Sequence, residues 1–586
     1  MKKGLAIAFI ALILAGLTAL TGVAIDTAYE AQYLDVTVMS DVHFVSQKTF
    51  TADNYAYYEG EDKMEHISEA IFNSVADEVI ASAPDYLLIS GDLTERGDRL
   101  SHEELAKVLK RIEAAGVNVF VINGNHDLPT NYSQLDKKID FNEYKEIYAD
   151  FGYNEAVSTF YGGLSYSADL GKTHRLIAVD NIGWCYYDTQ GEIVHKPPMG
   201  ESQKQWIEEQ IERCKTDKRI PVIMSHIPFK DHFPKSVANM RDNDAYLTMA
   251  KYFADNGVNY AFTGHLHLQD IKKVTSDSGN EFYDIGNPSM IHYPCSYSSA
   301  RLSKNGIDIS EVRHDSVDEK YLCDVTPDHV REELKQGLQR YAVKHMRQEI
   351  VSAVEKLDTP SGLFGGMISK GDDRAEALKT VAKAAKITCS SPIYVKDEKE
   401  GEISMERVMK TYGVDIPSIE YKTVYEASTV YAASVFSGDD ALEGKPEFDL
   451  IKYVFYYLMY NLNAASEEFA AINPSVPINV DMEKLVTTGK LECYDSGIVP
   501  FVLSLLGDGT WAGMIKGMLR NDFDGIKGAE GIIAVFANGA FAGITDYFSG
   551  KEIDVDGLIY DGVFVRYAPE LKSREYGRTV RLTFGK

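Results

Sequence analysis

The 586 residues hold few cysteines, few tryptophans and a deficit of positive charge. The six cysteines, Cys185, Cys214, Cys295, Cys323, Cys389 and Cys493, fall at irregular spacings with no CxxC pair. That excludes a zinc knuckle, a dithiol redox motif and a small disulfide scaffold. No cysteine closely follows the N-terminal apolar stretch, so a lipoprotein-type lipid anchor has no attachment point. The chain sets 60 Lys+Arg against 88 Asp+Glu, a formal charge of −28. Such a surface repels polyanions, which argues against a duplex nucleic acid partner and leaves a small phosphoester open. There is no internal repeat and no low-complexity tract.

What is present begins with Lys2 and Lys3, followed by 22 uncharged residues from position 4 to position 25. Residues 1–25 therefore read as a signal peptide or a single membrane anchor, with the lysines keeping the N-terminus inside. The expected location is exported: extracellular or at the cell surface, either cleaved free or held by that anchor.

The length implies two domains. Between about 33 and 300, short β-rich runs at 34–39, 86–89, 117–122, 175–179, 221–224 and 260–263 alternate with helical patterns at 65–81 and 102–115. A further helix is expected to start at Ser202, with Gln205 completing a capping box. This is the pattern of a layered α/β domain, assigned to 33–316. Residues 327–586 read as a mainly helical C-terminal domain of unassigned role, with helices at 327–357, 373–386 and 447–472. The aromatic run Tyr453 to Tyr460 is too short to span a bilayer and predicts a buried helix. Ten glycines between 507 and 550 predict short packed helices and turns, and residues 579–584 alternate like a closing strand.

Five motifs occur in order, each after a predicted strand: Asp41-Val42-His43, Gly91-Asp92, Gly124-Asn125-His126-Asp127, Ser225-His226 and Gly264-His265-Leu266-His267. In an α/β sheet, residues beyond the carboxyl ends of the strands converge on one crevice. Leaving His126 and Asp127 aside, the motifs supply two carboxylates, one amide oxygen and four imidazoles, a donor set suited to Mn, Fe, Zn or Ni. Phosphoester displacement is helped by two ions about 3.5–4 Å apart, which need a bridging carboxylate. Asp92 is the candidate bridge. Asp41 and His43, like His265 and His267, occupy alternate positions that can face one ion.

This ordered set resembles the calcineurin-like metallophosphoesterase family over roughly residues 33–300. The resemblance implies two facing sheets flanked by helices, and a hydrolase using two divalent or mixed-valence transition-metal ions, Mn, Fe or Zn. It implies that Asp41, His43, Asp92 and His267 bind the first ion, and that Asp92, Asn125, His226 and His265 bind the second. It gives His126 the task of assisting the leaving oxygen and Asp127 that of orienting His126, while a hydroxide generated at the metals attacks phosphorus in line. Secreted 5′-nucleotidases of the superfamily carry Glu and Phe where this chain has Asp127 and Leu128. The Gly-Asn-His-Asp form instead resembles the branch with cyclic-nucleotide and phospholipid phosphodiesterases. A small-molecule or lipid-like phosphodiester is therefore favoured over a phosphomonoester or nucleotide. The alternative is a non-catalytic or regulatory metal-binding domain serving a cell-envelope or partner-binding C-terminal module. Arg96 lies close enough to Asp92 in sequence to meet a substrate phosphate, but is expected to be a surface or ion-pair residue. His102, His195, His232 and His292 are expected to be ordinary loop or helix residues.

Overall fold

The computed structural model describes residues 33–230, 232, 244–360, 373–395, 403–437, 446–472, 480–488, 490–491, 553–554 and 580–584. The N-terminal apolar stretch, the glycine-rich segment and Cys493 lie outside the described residues.

The first ten strands are β1 (Leu34–Met39), β2 (Tyr86–Ile89), β3 (Asn118–Val121), β4 (Ala156–Thr159), β5 (Tyr166–Leu170), β6 (His174–Val179), β7 (Trp184–Tyr187), β8 (Ile193–Lys196), β9 (Ile220–Ser225) and β10 (Tyr260–Thr263). They are followed by β11 (Asp270–Thr275), β12 (Glu281–Gly286), β13 (Ser296–Ser303), β14 (Gly306–Arg313) and β15 (Val580–Thr583). The helices that matter for the site and its surroundings are α1 (Ser68–Ser82), α2 (Arg99–Ala114), α3 (Glu201–Asp217), α4 (Asp244–Asp255), α5 (Asp328–Leu334) and α6 (Leu338–Glu355). Beyond them lie α7 (Asp373–Ser390), α8 (Val424–Phe436) and α9 (Pro446–Ile472).

Two large sheets result. One has the order β15-β14-β13-β1-β2-β3, the other β11-β12-β10-β9-β6-β5-β4. Strands β1, β2 and β3 run parallel, as do β6, β9, β10 and β12. The layered two-sheet α/β expectation is met. Strand alternation explains the layering, because successive side chains point to opposite faces. Leu176 and Ala178 join Val36, Val38, Val222 and Phe262 in the core shared by the two sheets. Ile177 and Val179 instead pack with Trp206, Ile207 and Ile211 of α3 and Phe253 of α4 on the outer face. The last strand pairs antiparallel with β14, Leu582 against Ile307, so the C-terminus is tied into the first sheet.

Two local expectations are corrected. The helix near Ser202 starts at Glu201, with Gly200 as N-cap and no side-chain cap bond, so Ser202 already lies inside the first turn and forms no capping box there. The long helix expected over 327–357 is broken in two. Gly337, at φ 106°, leaves the helical region, and Leu338 N turns to donate to Asp315 O at 3.0 Å.

The break lets α6 serve two cores. Leu338, Tyr341 and Ala342 pack into the strand core together with Val330 and Leu334 of α5. Met346, Ile350 and Val354, further along α6, cluster with Leu268, Ala382 of α7, Tyr425 of α8 and Ile451 of α9. The run at 453–460 lies within α9, where Tyr456 and Tyr457 are buried against Met405, Val408 and Leu485. Among the described residues, no helix is long and apolar enough to cross a membrane.

Candidate metal centre

Every motif follows the carboxyl end of a parallel strand: Asp41 and His43 after β1, Asp92 after β2, Asn125 after β3, His226 after β9, and His265 and His267 after β10. Backbone pairing continues past the strands and fixes the loops against one another. Asp41 N donates to Gly91 O at 3.0 Å, His43 N to Asp92 O at 2.9 Å, and Gly264 N to His226 O at 2.9 Å. The loops turn sharply. Asp41, His43, Asp92, His265 and His267 all have left-handed backbones, with φ between 45° and 70°. Each such residue costs on the order of 1–3 kcal/mol, and the strain persists only where the surroundings over-determine it.

Two motif glycines are explained by close approach. A Cβ on Gly124 would sit 2.1 Å from Asp92 Oδ1, and one on Gly264 would sit 1.7 Å from Ser40 Oγ and 2.5 Å from Asp41 Oδ2. The loops after β2 and β3 meet too closely at Gly124 for any side chain, and those after β1 and β10, one from each sheet, do so at Gly264.

The structure brings all seven expected ligands together. Asp41, His43 and His267 present donor atoms within 4.8 Å of one another, and so do Asp92, His226 and His265. His43 Nε2 is 2.9 Å from His267 Nε2, and Asp41 Oδ1 lies 3.7 Å and 3.2 Å from those two nitrogens. In the second group His226 Nε2 is 3.1 Å from both Asp92 Oδ2 and Asn125 Oδ1. The same Asp92 Oδ2 lies 3.8 Å from His43 Nε2, so one carboxylate oxygen faces both groups, as a bridge requires. His226 Nδ1 is 3.0 Å from Ser90 O; donating there leaves Nε2 as the donor atom toward an ion.

These residues fit two ions. Two imidazole nitrogens about 2.0–2.1 Å from one cation stand about 2.9 Å apart when they subtend a right angle at it, which is the separation of His43 and His267. Burial grades across the site. Asp41, His43, Asp92 and His226 are buried, while Asn125, His126, His265 and His267 are half-buried and form the open side.

Electrostatics agree with a cation site. Burial alone would raise the Asp41 carboxyl, yet the imidazoles of His267 and His226 hold it well below the carboxylate range. Asp92 is lowered too: burial opposes the shift, and His226 and His126 outweigh it. For His226, burial works against the charged ring, but Asp92 and Asp41 prevail and hold its pKa at about 9. Without metal, a proton takes the place that a cation would fill.

His126 lies beside the ligands. Its backbone N donates to Asp92 Oδ1 at 2.8 Å, and its ring Nδ1 is 2.8 Å from Glu95 O and 3.4 Å from Glu95 Oε1. Asp127, beside it in sequence, is bonded to the backbone of the neighbouring loops. Its carboxylate accepts from Gly124 N at 2.8 Å, Thr94 N at 2.9 Å and Leu93 N at 3.1 Å, clamping the loops after β2 and β3 together. Burial and the charge of Asp92 push its pKa up to about 6, while those N–H donors pull the other way.

Glu95 is the residue that sequence reasoning missed. Its Oε2 lies 2.7 Å from His43 Nδ1, out of line for a hydrogen bond, and Lys63 Nζ donates to its Oε1 at 3.2 Å. A single Glu three residues after Gly-Asp has no spacing that marks it.

Arg96 and four histidines outside the motifs fall in separate places. Arg96 pairs with buried Glu65 at 2.6 Å and lies over the rings of Tyr57 and Tyr58. His102 is buried between Thr94 Oγ1 and Tyr148 OH, and burial drives its pKa down to about 3. His195 is exposed on β8. His292 is buried with its ring centroid 6.0 Å from that of His267, and its Nε2 is 3.9 Å from Glu349 on α6. His232 is held by Asp270 and Asp284 and belongs to none of the ligand groups.

Comparison with known proteins adds the family. The calcineurin-like phosphoesterase family matches residues 34–269. No curated protein matches the chain. Among solved structures, the chain resembles a dimetal phosphatase from Danio rerio at 13% identity and TM-score 0.32, covering 47% of this chain and 95% of that one. It also resembles a putative 5′-nucleotidase from Staphylococcus aureus at 16% identity and TM-score 0.31, covering 52% of this chain and 58% of that one. A purple acid phosphatase from yellow lupin seeds matches at 10% identity and TM-score 0.31, with 48% of this chain and 51% of that one covered. Residues 34–269 are thus a calcineurin-like phosphoesterase domain, that of a metal-dependent phosphoester hydrolase with a dinuclear site.

Proposed function

We propose that the chain hydrolyses phosphodiesters, with His126 as the residue that serves the leaving oxygen. The observation that carries the diester reading is the pairing of the two cations that flank Glu95. Lys63 is tied to Glu95 at 3.1 Å and Arg96 to Glu65 at 2.6 Å, so neither offers an uncompensated charge to a dianionic monoester. A monoanionic diester needs less compensation in a chain of net charge −28.

Asp41, His43, Asp92 and His267 would hold one ion, and Asp92, Asn125, His226 and His265 the other. Two such ions supply Lewis acidity to the phosphoryl oxygens and a nucleophilic water at neutral pH. The remaining chemistry falls to the chain. With Nδ1 of His126 committed to Glu95 O, Nε2 is the atom able to give a proton to the departing ester oxygen. Asp127 keeps the loops that carry Asp92 and Asn125 in register.

The reading is tested with purified protein reconstituted with Mn, Zn or Fe and offered bis(4-nitrophenyl) phosphate, 4-nitrophenyl phosphate, cyclic nucleotides and glycerophosphodiesters. Diester kcat/KM should exceed monoester kcat/KM. A monoester preference with every metal would reverse the substrate class, and inactivity throughout would favour a regulatory metal domain. The proposed site of action is outside the cytoplasm, on the strength of Lys2, Lys3 and the uncharged residues 4–25. Fractionation of cells making the full chain tests it, and a cytoplasmic protein would refute it.

A further inference from the structure

Lys63 is a buried ammonium next to the ligand set, and no motif points to it. It sits in the turn before α1, where Met64 N donates to Ile291 O at 3.0 Å. Its side chain is only 10% exposed, and its Nζ lies 3.2 Å from Glu95 Oε1 and 3.1 Å from Glu95 Oε2, so the ammonium spans both oxygens. Asp62 Oδ1 is 3.9 Å away, and the charge of Glu65 also acts on the ammonium. The Glu95 carboxylate in turn meets His43 Nδ1 at 2.7 Å, an ion contact and not an aligned hydrogen bond, and lies 3.4 Å from His126 Nδ1, which is also 2.8 Å from the backbone O of Glu95. One carboxylate thus stands between a metal ligand and the residue beside the leaving group, and the far side of that carboxylate is occupied by Lys63.

A carboxylate has two soft degrees of freedom here: rotation about its terminal bond, and recruitment as a metal ligand in its own right. His43, Glu95 and His126 already lie close enough to form a ligand group of their own. An ammonium across both oxygens opposes both motions, since it fixes the plane of the carboxylate and neutralises its charge locally.

We propose that Lys63 is a positioning residue: it holds Glu95 between His43 and His126, so that one side chain orients the first metal site and the proton donor together. The catalytic half of this inference rests on the proposed function; the metal half does not. Losing an outer partner of a ligating histidine typically lowers metal affinity about 10- to 100-fold.

The test uses the purified full chain and the variants Lys63→Met, Lys63→Arg, Glu95→Gln and Lys63→Met/Glu95→Gln. Metal-free proteins are titrated with Mn and with Zn, and the loaded proteins are assayed on alkyl and nitrophenyl diesters. Lys63→Met should weaken the first ion about 10-fold and leave the second unchanged. It should lower kcat for alkyl esters, which need leaving-group protonation, about 10-fold more than for nitrophenyl esters, with KM little moved. Lys63→Arg should restore most of both. If Lys63→Met does not fold because a lone buried carboxylate remains, the double variant removes both charges. It should fold and bind the first ion as weakly as Glu95→Gln. First-site affinity equal to wild type in Lys63→Met, or in the double variant, overturns the proposal, as does an equal loss across all leaving groups. If the wild type hydrolyses no ester, the functional reading falls while the metal titration still decides the place of Lys63.

Discussion

His43 Nε2 and His267 Nε2 lie 2.9 Å apart although 224 positions separate them in the chain, one from each sheet. Two ring nitrogens this close repel unless a proton or a cation lies between them, and Asp41 Oδ1 completes the same point. His267→Ala should therefore abolish binding of the first ion and spare the second. Asp92→Asn should weaken both, because Asp92 Oδ2 faces His43 as well as His226. Elemental analysis after reconstitution checks this, with two ions per wild-type chain, one for His267→Ala and fewer than two for Asp92→Asn.

His126 touches the bridge only through its backbone N, while its ring faces Glu95. His126→Ala should lower kcat by roughly 10²- to 10⁴-fold, the usual contribution of a positioned acid, with both ions retained. Steady-state rates measured beside metal content separate the two effects. Activity lost in proportion to metal would assign His126 to the ligand set.

His232 provides a pH dependence outside the metal centre. Burial opposes its charge, but Asp270 at 2.9 Å and Asp284 at 3.6 Å outweigh that and hold its pKa at about 9. The folded pKa is raised above the unfolded value of about 6.5, so the stabilisation is complete below pH 6.5 and is lost as pH rises through 9. A shift of this size corresponds to on the order of 3 kcal/mol. Urea unfolding of metal-free protein should show stability falling between pH 6.5 and 9.5, a window His226 shares, and His232→Gln should make that fall shallower by the share of His232. An unchanged slope in the variant would place the titration elsewhere.

Much of this was legible because the chemistry is written in short runs. Strands at 34–39, 86–89 and 260–263 are apolar and bounded by polar clusters, and they form at those bounds. Strand β13, SYSSARLS, escaped notice because its buried faces include serines whose hydroxyls are satisfied internally, such as Ser298 Oγ on Asn287 Oδ1 at 2.8 Å. The backbone bonds of Asp127 are not legible in the sequence, because adjacency to His126 says nothing of where a side chain turns; its carboxylate faces the backbone of Leu93 and Thr94. Glu95 and Lys63 were invisible because their meaning lies in a contact between two loops 32 residues apart.

The helical region yields the remaining prediction. Leu266, between the ligands His265 and His267, packs partly buried against the cluster that holds Met346 and Ile350 of α6 and Tyr425 of α8. The loop carrying two ligands thus rests on helices from the C-terminal half. A truncation after residue 326 would also strip Val330, Leu334, Leu338, Tyr341 and Ala342 from the strand core, so that protein should aggregate. Truncation after residue 360 keeps α5 and α6 but uncovers Met346, Ile350 and Val354 and removes the edge strand β15. It should be less stable and bind the His265 and His267 ions more weakly. The milder variant Ile350→Ala should cost about 2–5 kcal/mol, the usual range for such a core deletion. It should also lower metal affinity measurably, since the support under Leu266 is loosened. Metal affinity unchanged in Ile350→Ala, despite a measured loss of stability, would show that the helices cover the loop without holding it.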